Sequence, residues 1–445
     1  MKRRLAATAR GRAVEALRDV LERGERAAPR LASRARGLSE PDADLLRELV
    51  LGVLRWKDSL DDEIAGVSRV RLPKLAPNLR EILEVALYQT RHLDRIPAYA
   101  AVNEAVDLAR GSGGDGAARL VNGVLRTILK GPAPEPPRRR EAGGGRQTTE
   151  LARFYSHPVF LVERWIERFG LEQTRAILEA DNAVPRLDLV ANPRRGTRSE
   201  TRAALAAEGV VAEPSPVVPL ALTVVSGHPL RSPLFARGAF AVQDVGSQLL
   251  PLLLPPGETL VDLAAAPGGK SISALAHGRV RATIAVDRSW GRLRRVAENA
   301  ARLGMPEMRP VGGDVGAAPL PAEAFDRVLF DAPCSGTGTL RKNPEIRYRI
   351  TPAAIERLAA AQAASLEAAA RLLRPGGFLL YSTCSLEEEE NETVVERVIA
   401  ARPELERAAI EPPAELGDRV SGDRLRLFPD ASTDGFTAHL LRRRA

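Results

Sequence analysis

Through the first 130 positions apolar residues recur three and four places apart, as in AVEALRDVLERG from Ala13 and ADLLRELVLGVLRWKDSLDDEI from Ala43. That spacing lays one apolar stripe along an α-helix. The alternation that marks a half-buried strand is missing there. LREILEVALYQTRHL, IPAYAAVNEAVDLARG and AARLVNGVLRTILKG are each long enough for a further helix. Ser39, followed by Pro41 and Asp42, reads as a helix start, and Gly24 and Gly111 read as stops. The pattern predicts an all-α domain over residues 1–130, built from about five to seven helices.

The stretch 131–150, GPAPEPPRRREAGGGRQTTE, breaks that period and reads as a linker with extended and flexible parts. Within it Arg138, Arg139 and Arg140 form a charge run, either solvated or set against phosphate. Amphipathic helices return in YSHPVFLVERWIERFG and EQTRAILEADN. β-Branched, proline-punctuated segments around the helix SETRAALAAEG then suggest a small α/β or α+β platform over 151–240. From 241 to 445 short apolar strands alternate with helices, as in a parallel, doubly wound α/β sheet. In order the strands are TLVDLAA, ATIAVD, MRPVGGD, DRVLFDAP and FLLYSTC, with a later pair near LRLF and FTAHLLR. Between the fourth and fifth lies a helix with Pro352 near its start and Gly376 after its end.

Composition narrows the class. Of 445 residues 44% are hydrophobic and 27% charged, as in soluble globular chains, and no apolar run approaches the roughly 20 residues of a membrane helix. Met1 to Arg4 has the basic character of a signal-peptide start, yet Arg10 and Arg12 interrupt any apolar core, so a cytoplasmic protein is expected. Lys and Arg outnumber Asp and Glu by 65 to 57, with a sequence pI near 9.9. This balance either favours a polyanion such as nucleic acid or reflects an Arg-rich proteome. The only cysteines, Cys334 and Cys384, argue against a disulfide framework, and neither has the spacing of a metal site. Buried or catalytic thiols remain.

The candidate chemistry gathers at the predicted strand ends, where open α/β sheets bind ligands. After the first strand, Ala264, Ala265, Ala266, Pro267, Gly268, Gly269 and Lys270 form a small-residue turn into a helix, which lets a ligand approach the backbone and the positive end of the helix dipole. It is neither a Walker loop nor a Gly-x-Gly-x-x-Gly pattern. The next strands end in Asp287, Asp314 and Asp331. Each alone reads as well as a helix N-cap; together they suit a nucleoside ligand with a cationic tail, of which S-adenosylmethionine is one. Cys334 and Cys384 both end strands beside that crevice, with Arg341, Lys342, Arg347 and Arg349 as nearby positive charges that favour a thiolate. C5 of a pyrimidine is a poor nucleophile. A thiolate adding to C6 activates it toward an electrophilic methyl, and Asp331 is suited to hold the N3/O2 edge of the base as charge shifts onto it.

LAAAPGGKS, IAVDRS, GGDV, FDAPCSGTGTLRKNPEIRYR, YSTCSLEEEENE and the terminal TDGFTAHLLRRR resemble the RNA cytosine-5 methyltransferases of the Nop2/Sun (Fmu) family. QDVGSQL and SHPVFLVERW resemble its preceding segment. LRWKDSLD, ALYQTRHLDRIPAYAAVNEAVDLA and RLVNGVLR resemble the NusB-type helical domain of the bacterial branch that acts on 16S ribosomal RNA, so the likeness covers nearly the whole chain. It implies a class I, Rossmann-like methyltransferase domain and S-adenosylmethionine as cofactor, with no metal. Ala264 to Lys270 then line the methionine and ribose side, Asp287 holds the ribose hydroxyls, Asp314 lies near the adenine, and Asp331 stands between cofactor and base. The resemblance also divides the thiols: Cys384 is the nucleophile and Cys334 assists release. The implied partner is 16S ribosomal RNA, naked or in an early assembly intermediate, bound by a monomer. Many relatives have cysteine where this chain has Ala264, a position expected to present only backbone to the cofactor. Rival readings are a methyltransferase of another RNA, a nicotinamide dehydrogenase on the same sheet, and a non-catalytic RNA-binding module.

Overall fold

The computed structural model describes residues 8–76, 78–137, 145–411 and 414–445, so the run Arg138–Arg140 lies outside the described residues. The chain divides into two compact units: Met1–Ala183 with Leu340–Arg349, and Val184–Thr339 with Ile350–Ala445.

The first unit is helical. Its elements are α1 (Ala9–Arg23), α2 (Ala27–Arg34), α3 (Glu40–Val67), α4 (Leu79–His92), α5 (Ala98–Ile128), α6 (Gly145–Phe154) and α7 (Val159–Asn182). The Ser39 hydroxyl accepts the Asp42 N–H at the start of α3, and Gly24 ends α1 with φ 65°. The expected stop at Gly111 is displaced. Helix α5 runs on and breaks at Gly113 and Gly114, where only the second adopts a left-handed φ, of 73°. Helix α6 begins inside the stretch expected to be linker, because Leu151 and Ala152 give it a face to bury. Leu17 of α1, Leu49 of α3, Leu83 of α4 and Leu125 of α5 are fully buried in one core. Lys57 is buried with them and bonds Asp61 at 2.6 Å and Glu84 at 3.0 Å, which offsets part of their desolvation, although burial still pushes the Glu84 carboxyl up.

Leu340–Arg349 belongs to this helical unit. The Arg347 guanidinium donates to the carbonyls of Arg55 (2.9 Å), Tyr155 (3.1 Å) and Asp181 (2.9 Å) and to Asn182 Oδ1 (2.7 Å). Arg55 Nε in turn donates to the Arg341 carbonyl at 3.0 Å.

The second unit holds two sheets. The smaller is antiparallel, ordered β2-β3-β1-β4 from β1 (Asp188–Ala191), β2 (Val211–Pro214), β3 (Ala221–Ser226) and β4 (Phe240–Val242). Helix α8 (Arg198–Ala207) joins β1 to β2 and starts with a reciprocal cap between Thr197 and Glu200. The larger sheet runs β11-β12-β13-β9-β8-β5-β6-β7, with β10 paired to β13. Its parallel part is β5 (Thr259–Leu263), β6 (Ala282–Asp287), β7 (Met308–Gly312), β8 (Phe325–Asp331) and β9 (Leu373–Thr383), linked by α9 (Gly269–Ala276), α10 (Trp290–Leu303) and α11 (Pro352–Ala370). Helix α12 (Glu392–Ala401) follows β9. The later pair, β12 (Arg424–Leu427) and β13 (Phe436–Arg443), extends the sheet antiparallel to β9. The edge strands β10 (Leu405–Arg407) and β11 (Val420–Ser421) are too short to leave a period in the sequence. Strand order reverses at β5, which pairs β6 on one side and β8 on the other, so a ligand crevice is expected beyond the carboxyl ends of these strands. Among the described residues no helix is long and apolar enough to cross a membrane.

Candidate active site

The turn after β5 is built of unusual backbone. Ala264 has φ 59°, a left-handed conformation that costs a non-glycine residue roughly 1–2 kcal/mol. Ala265 donates to the Val286 carbonyl at 2.9 Å, and Gly268, with φ 98°, opens α9. A Cβ on Gly268 falls 3.0 Å from Met308 Cε, and one on Gly269 falls 3.1 Å from Gln243 Cδ. These glycines therefore serve internal packing as well as any ligand.

Asp287 ends β6 almost fully buried. Its Oδ2 accepts the Ala266 N–H at 3.3 Å, and its Oδ1 takes the Ser289 N–H and Arg292 Nη2, both at 2.8 Å, so the carboxylate is fixed against the turn. Asp314 is exposed and uses Oδ1 to cap the following turn through the Gly316 N–H at 2.9 Å. The structural reading that its residue type left open is realised for that oxygen.

The thiols meet where β8 and β9 end. These strands pair in parallel with Asp331 opposite Ser382, and the Ser382 hydroxyl donates to Asp331 Oδ1 at 2.9 Å. Cys334 and Cys384 bring their sulfurs 3.3 Å apart. The loop after Cys334 is stapled in place: Gly338 N–H donates to the Cys384 carbonyl at 2.9 Å, and Gly435 N–H donates to the Gly338 carbonyl at 2.7 Å. Its hydrogen bond to the Cys384 sulfur, its burial and the fields of Glu390 and Asp331 push the Cys334 thiol well up, so it is protonated at neutral pH.

The cation in this constellation is Lys270. Its Nζ lies 2.5 Å from Asp331 Oδ2 and within electrostatic range of Cys384. Burial works to lower its pKa, but Asp331 above all, then Asp262, outweigh it and leave the ammonium stabilised. Arg341, Lys342, Arg347 and Arg349 lie on the segment that belongs to the helical unit, where Arg347 donates to that unit's carbonyls. Asp262, within β5, is fully buried; burial lifts its carboxyl to about 6, against the pull of Lys270 and two bonds from Ser271 at 2.7 and 3.2 Å. Its Oδ1 is a buried acceptor with no hydrogen-bond partner among the described residues.

A family model described as 16S rRNA methyltransferase RsmB/F matches residues 250–442, the NusB family matches 7–130, and the ferredoxin-like domain of RsmF/B-like methyltransferases matches 157–231. The chain is similar to a protein of Synechocystis named probable ribosomal RNA small subunit methyltransferase B, 38% identical over 373 residues that cover 81% of this chain and 82% of that one. The chain belongs to the ribosomal RNA small subunit methyltransferase B family. A Bacillus subtilis protein with the same printed name is 34% identical over 90% of both chains. The crystal structure of PH0851 superposes with a TM-score of 0.76 at 26% identity, covering 97% of this chain and 98% of that one. The methyltransferase B family comprises S-adenosylmethionine-dependent RNA methyltransferases, and the expected fold class stands: a helical NusB domain, a small α+β domain and a Rossmann-like methyltransferase domain.

Three site features escaped the sequence reading. Asp262 was marked only by being the one charged residue in the strand TLVDL. Lys270, read as a cofactor-lining residue, also pairs with Asp331. Trp290 is 75% exposed beside Asp287, with its indole against Gly312, where a Cβ falls 2.6 Å from Cζ2.

Proposed function

We propose that the chain methylates C5 of a cytosine in 16S ribosomal RNA, at cytosine 967, with Cys384 as nucleophile and Cys334 as the group that assists release. The observation that carries this reading is the pair of sulfurs 3.3 Å apart beside the Asp331–Lys270 ion pair, with one of the two thiols held protonated. S-adenosylmethionine fits the residues present, because Asp262 keeps an orphaned buried oxygen suited to a cationic ligand and Asp287 is already fixed against the turn. When bound, the cofactor supplies an electrophilic methyl group. Residues Ala264 to Lys270 hold its methionine and ribose side, Asp287 the ribose hydroxyls, and Asp314 the adenine end.

A Cys334 thiol held protonated is a weak nucleophile, which supports assigning attack to Cys384. The Cys384 thiolate bonds C6 of the base, the C5–C6 electron pair becomes available at C5, and Asp331 holds the N3/O2 edge with the Lys270 ammonium beside it to offset the negative charge that collects there. Cys334, whose sulfur lies 3.3 Å from that of Cys384, gives its proton to the departing Cys384 sulfur and takes the proton from methylated C5; the C5–C6 double bond re-forms and Cys384 leaves as a neutral thiol. The helical unit contributes RNA contacts to a monomer acting on free RNA or an early assembly intermediate.

Incubated with RNA and cofactor, Cys334→Ala accumulates a gel-stable protein–RNA adduct and Cys384→Ala forms none. The reverse pattern refutes the division of roles. Bisulfite sequencing of 16S RNA from a deletion strain tests the substrate, with loss of the mark at cytosine 967 expected and an unchanged small-subunit pattern counting against it.

A further inference from the structure

We infer that Glu390 is a positioning residue for product release, holding the Cys334 loop in register with Cys384. This rests on the release role proposed for Cys334. Glu390 is completely buried, and three donors converge on its carboxylate: the Ser335 N–H at 2.8 Å, the Ser335 hydroxyl, and Gln362 Nε2 at 3.0 Å. Gln362 Nε2 also donates to the Pro333 carbonyl at 2.9 Å. The residues on both sides of Cys334 are thus held by one Glu390–Gln362 unit, which fixes the peptide that carries the thiol. Tyr381, on β9, donates to the Glu390 backbone carbonyl at 2.6 Å and so ties the Glu390 backbone to the strand that leads to Cys384.

The same network reaches the second thiol. Ser335 and Ser385, each the residue after a cysteine, place their hydroxyls 3.1 Å apart, and Thr337 Oγ1 lies 3.3 Å from Ser385 Oγ. Glu390 is therefore the acceptor at the root of a hydroxyl cluster that spans both loops and sets the sulfur separation. Its field is also one of the causes that keep Cys334 protonated. A carboxylate suits the site because all three donors point at acceptor oxygens; glutamine keeps the two N–H bonds only by turning its NH2 toward the Ser335 hydroxyl, which reverses that bond and removes its charge assistance.

The test is Glu390→Gln in the full chain, followed by adduct accumulation, release rate and cofactor affinity, with Cys334→Ala alongside and Ser335→Ala as a milder second variant. Loss of one charge-assisted hydrogen bond predicts release slowed by about ten- to a hundredfold, with the adduct accumulating and cofactor affinity unchanged. Ser335→Ala, which keeps the backbone bond, shifts release in the same direction by less. If Cys334→Ala traps the adduct while Glu390→Gln releases at the wild-type rate, or loses adduct formation and cofactor binding together, the positioning role is wrong. If Cys334→Ala traps nothing, the release role of Cys334 fails first, and the inference with it.

Discussion

Lys270→Met removes the ammonium beside Asp331 and leaves that carboxylate facing a methyl group. Breaking one side of a fully buried ion pair costs about 3–5 kcal/mol, and exposed pairs contribute about 0–1 kcal/mol. The two side chains here are 16% and 26% exposed at a separation of 2.5 Å, so the cost falls between these limits, at about 2 kcal/mol. Asp331→Asn is the reciprocal change. The double variant orphans neither charge, so it is more stable than the sum of the single losses by that same amount, about 2 kcal/mol. The assay is urea unfolding of wild type, both single variants and the double variant. The transition followed is the one that S-adenosylhomocysteine shifts, because that transition reports the catalytic unit. Additivity within about 0.5 kcal/mol refutes the reasoning, since it means the pair does not interact in solution.

Gly338→Ala places a Cβ 2.5 Å from the Gly435 carbonyl oxygen and 2.8 Å from its carbon, both backbone. A loss of about 1–3 kcal/mol is expected, together with loss of RNA adduct formation at unchanged cofactor affinity, because this staple holds the Cys384 carbonyl rather than the cofactor turn; calorimetric binding and the adduct gel check both. Asp262→Asn probes the buried acid. Its folded carboxyl titrates at about 6 against an ordinary 3.8, so the folded state binds the proton more tightly, and the wild type loses up to about 3 kcal/mol from this group as pH rises from 4 through 6. Asparagine does not titrate, so the stability of the variant relative to wild type is greater at pH 7.5 than at pH 4.5 in urea unfolding, and an equal difference at the two pH values sinks the assignment.

What the chain betrayed of its architecture lay where a period or a rare residue marks it. Apolar runs such as DRVLFD and FLLYST identify β8 and β9, and the acid or thiol that ends each run marks the crevice edge. The approach of the two sulfurs depends on β8 and β9 being neighbours, a pairing that no local pattern encodes. Lys270 was visible as a residue of the turn, but the direction of its side chain is decided by where Asp331 sits on a different strand. The break in α5 was placed at Gly111 because GSGGDG offers several glycines and only the backbone tells which one turns left-handed. The partners of Arg347 were illegible for a related reason. Its place in the sequence, close after Cys334, says nothing about packing against residues near positions 55 and 181.

That segment bears on how the chain is made. The helical unit is complete only with Leu340–Arg349, so the carbonyls of Arg55, Tyr155 and Asp181 wait for the Arg347 guanidinium until most of the chain has been translated. At roughly 5–20 residues per second, the interval between synthesis of α7 and of Arg347 is on the order of ten seconds or more. Through that interval the nascent helical unit has its hydrophobic core but not its closing arginine, and its final consolidation is tied to the emergence of the loop that follows Cys334.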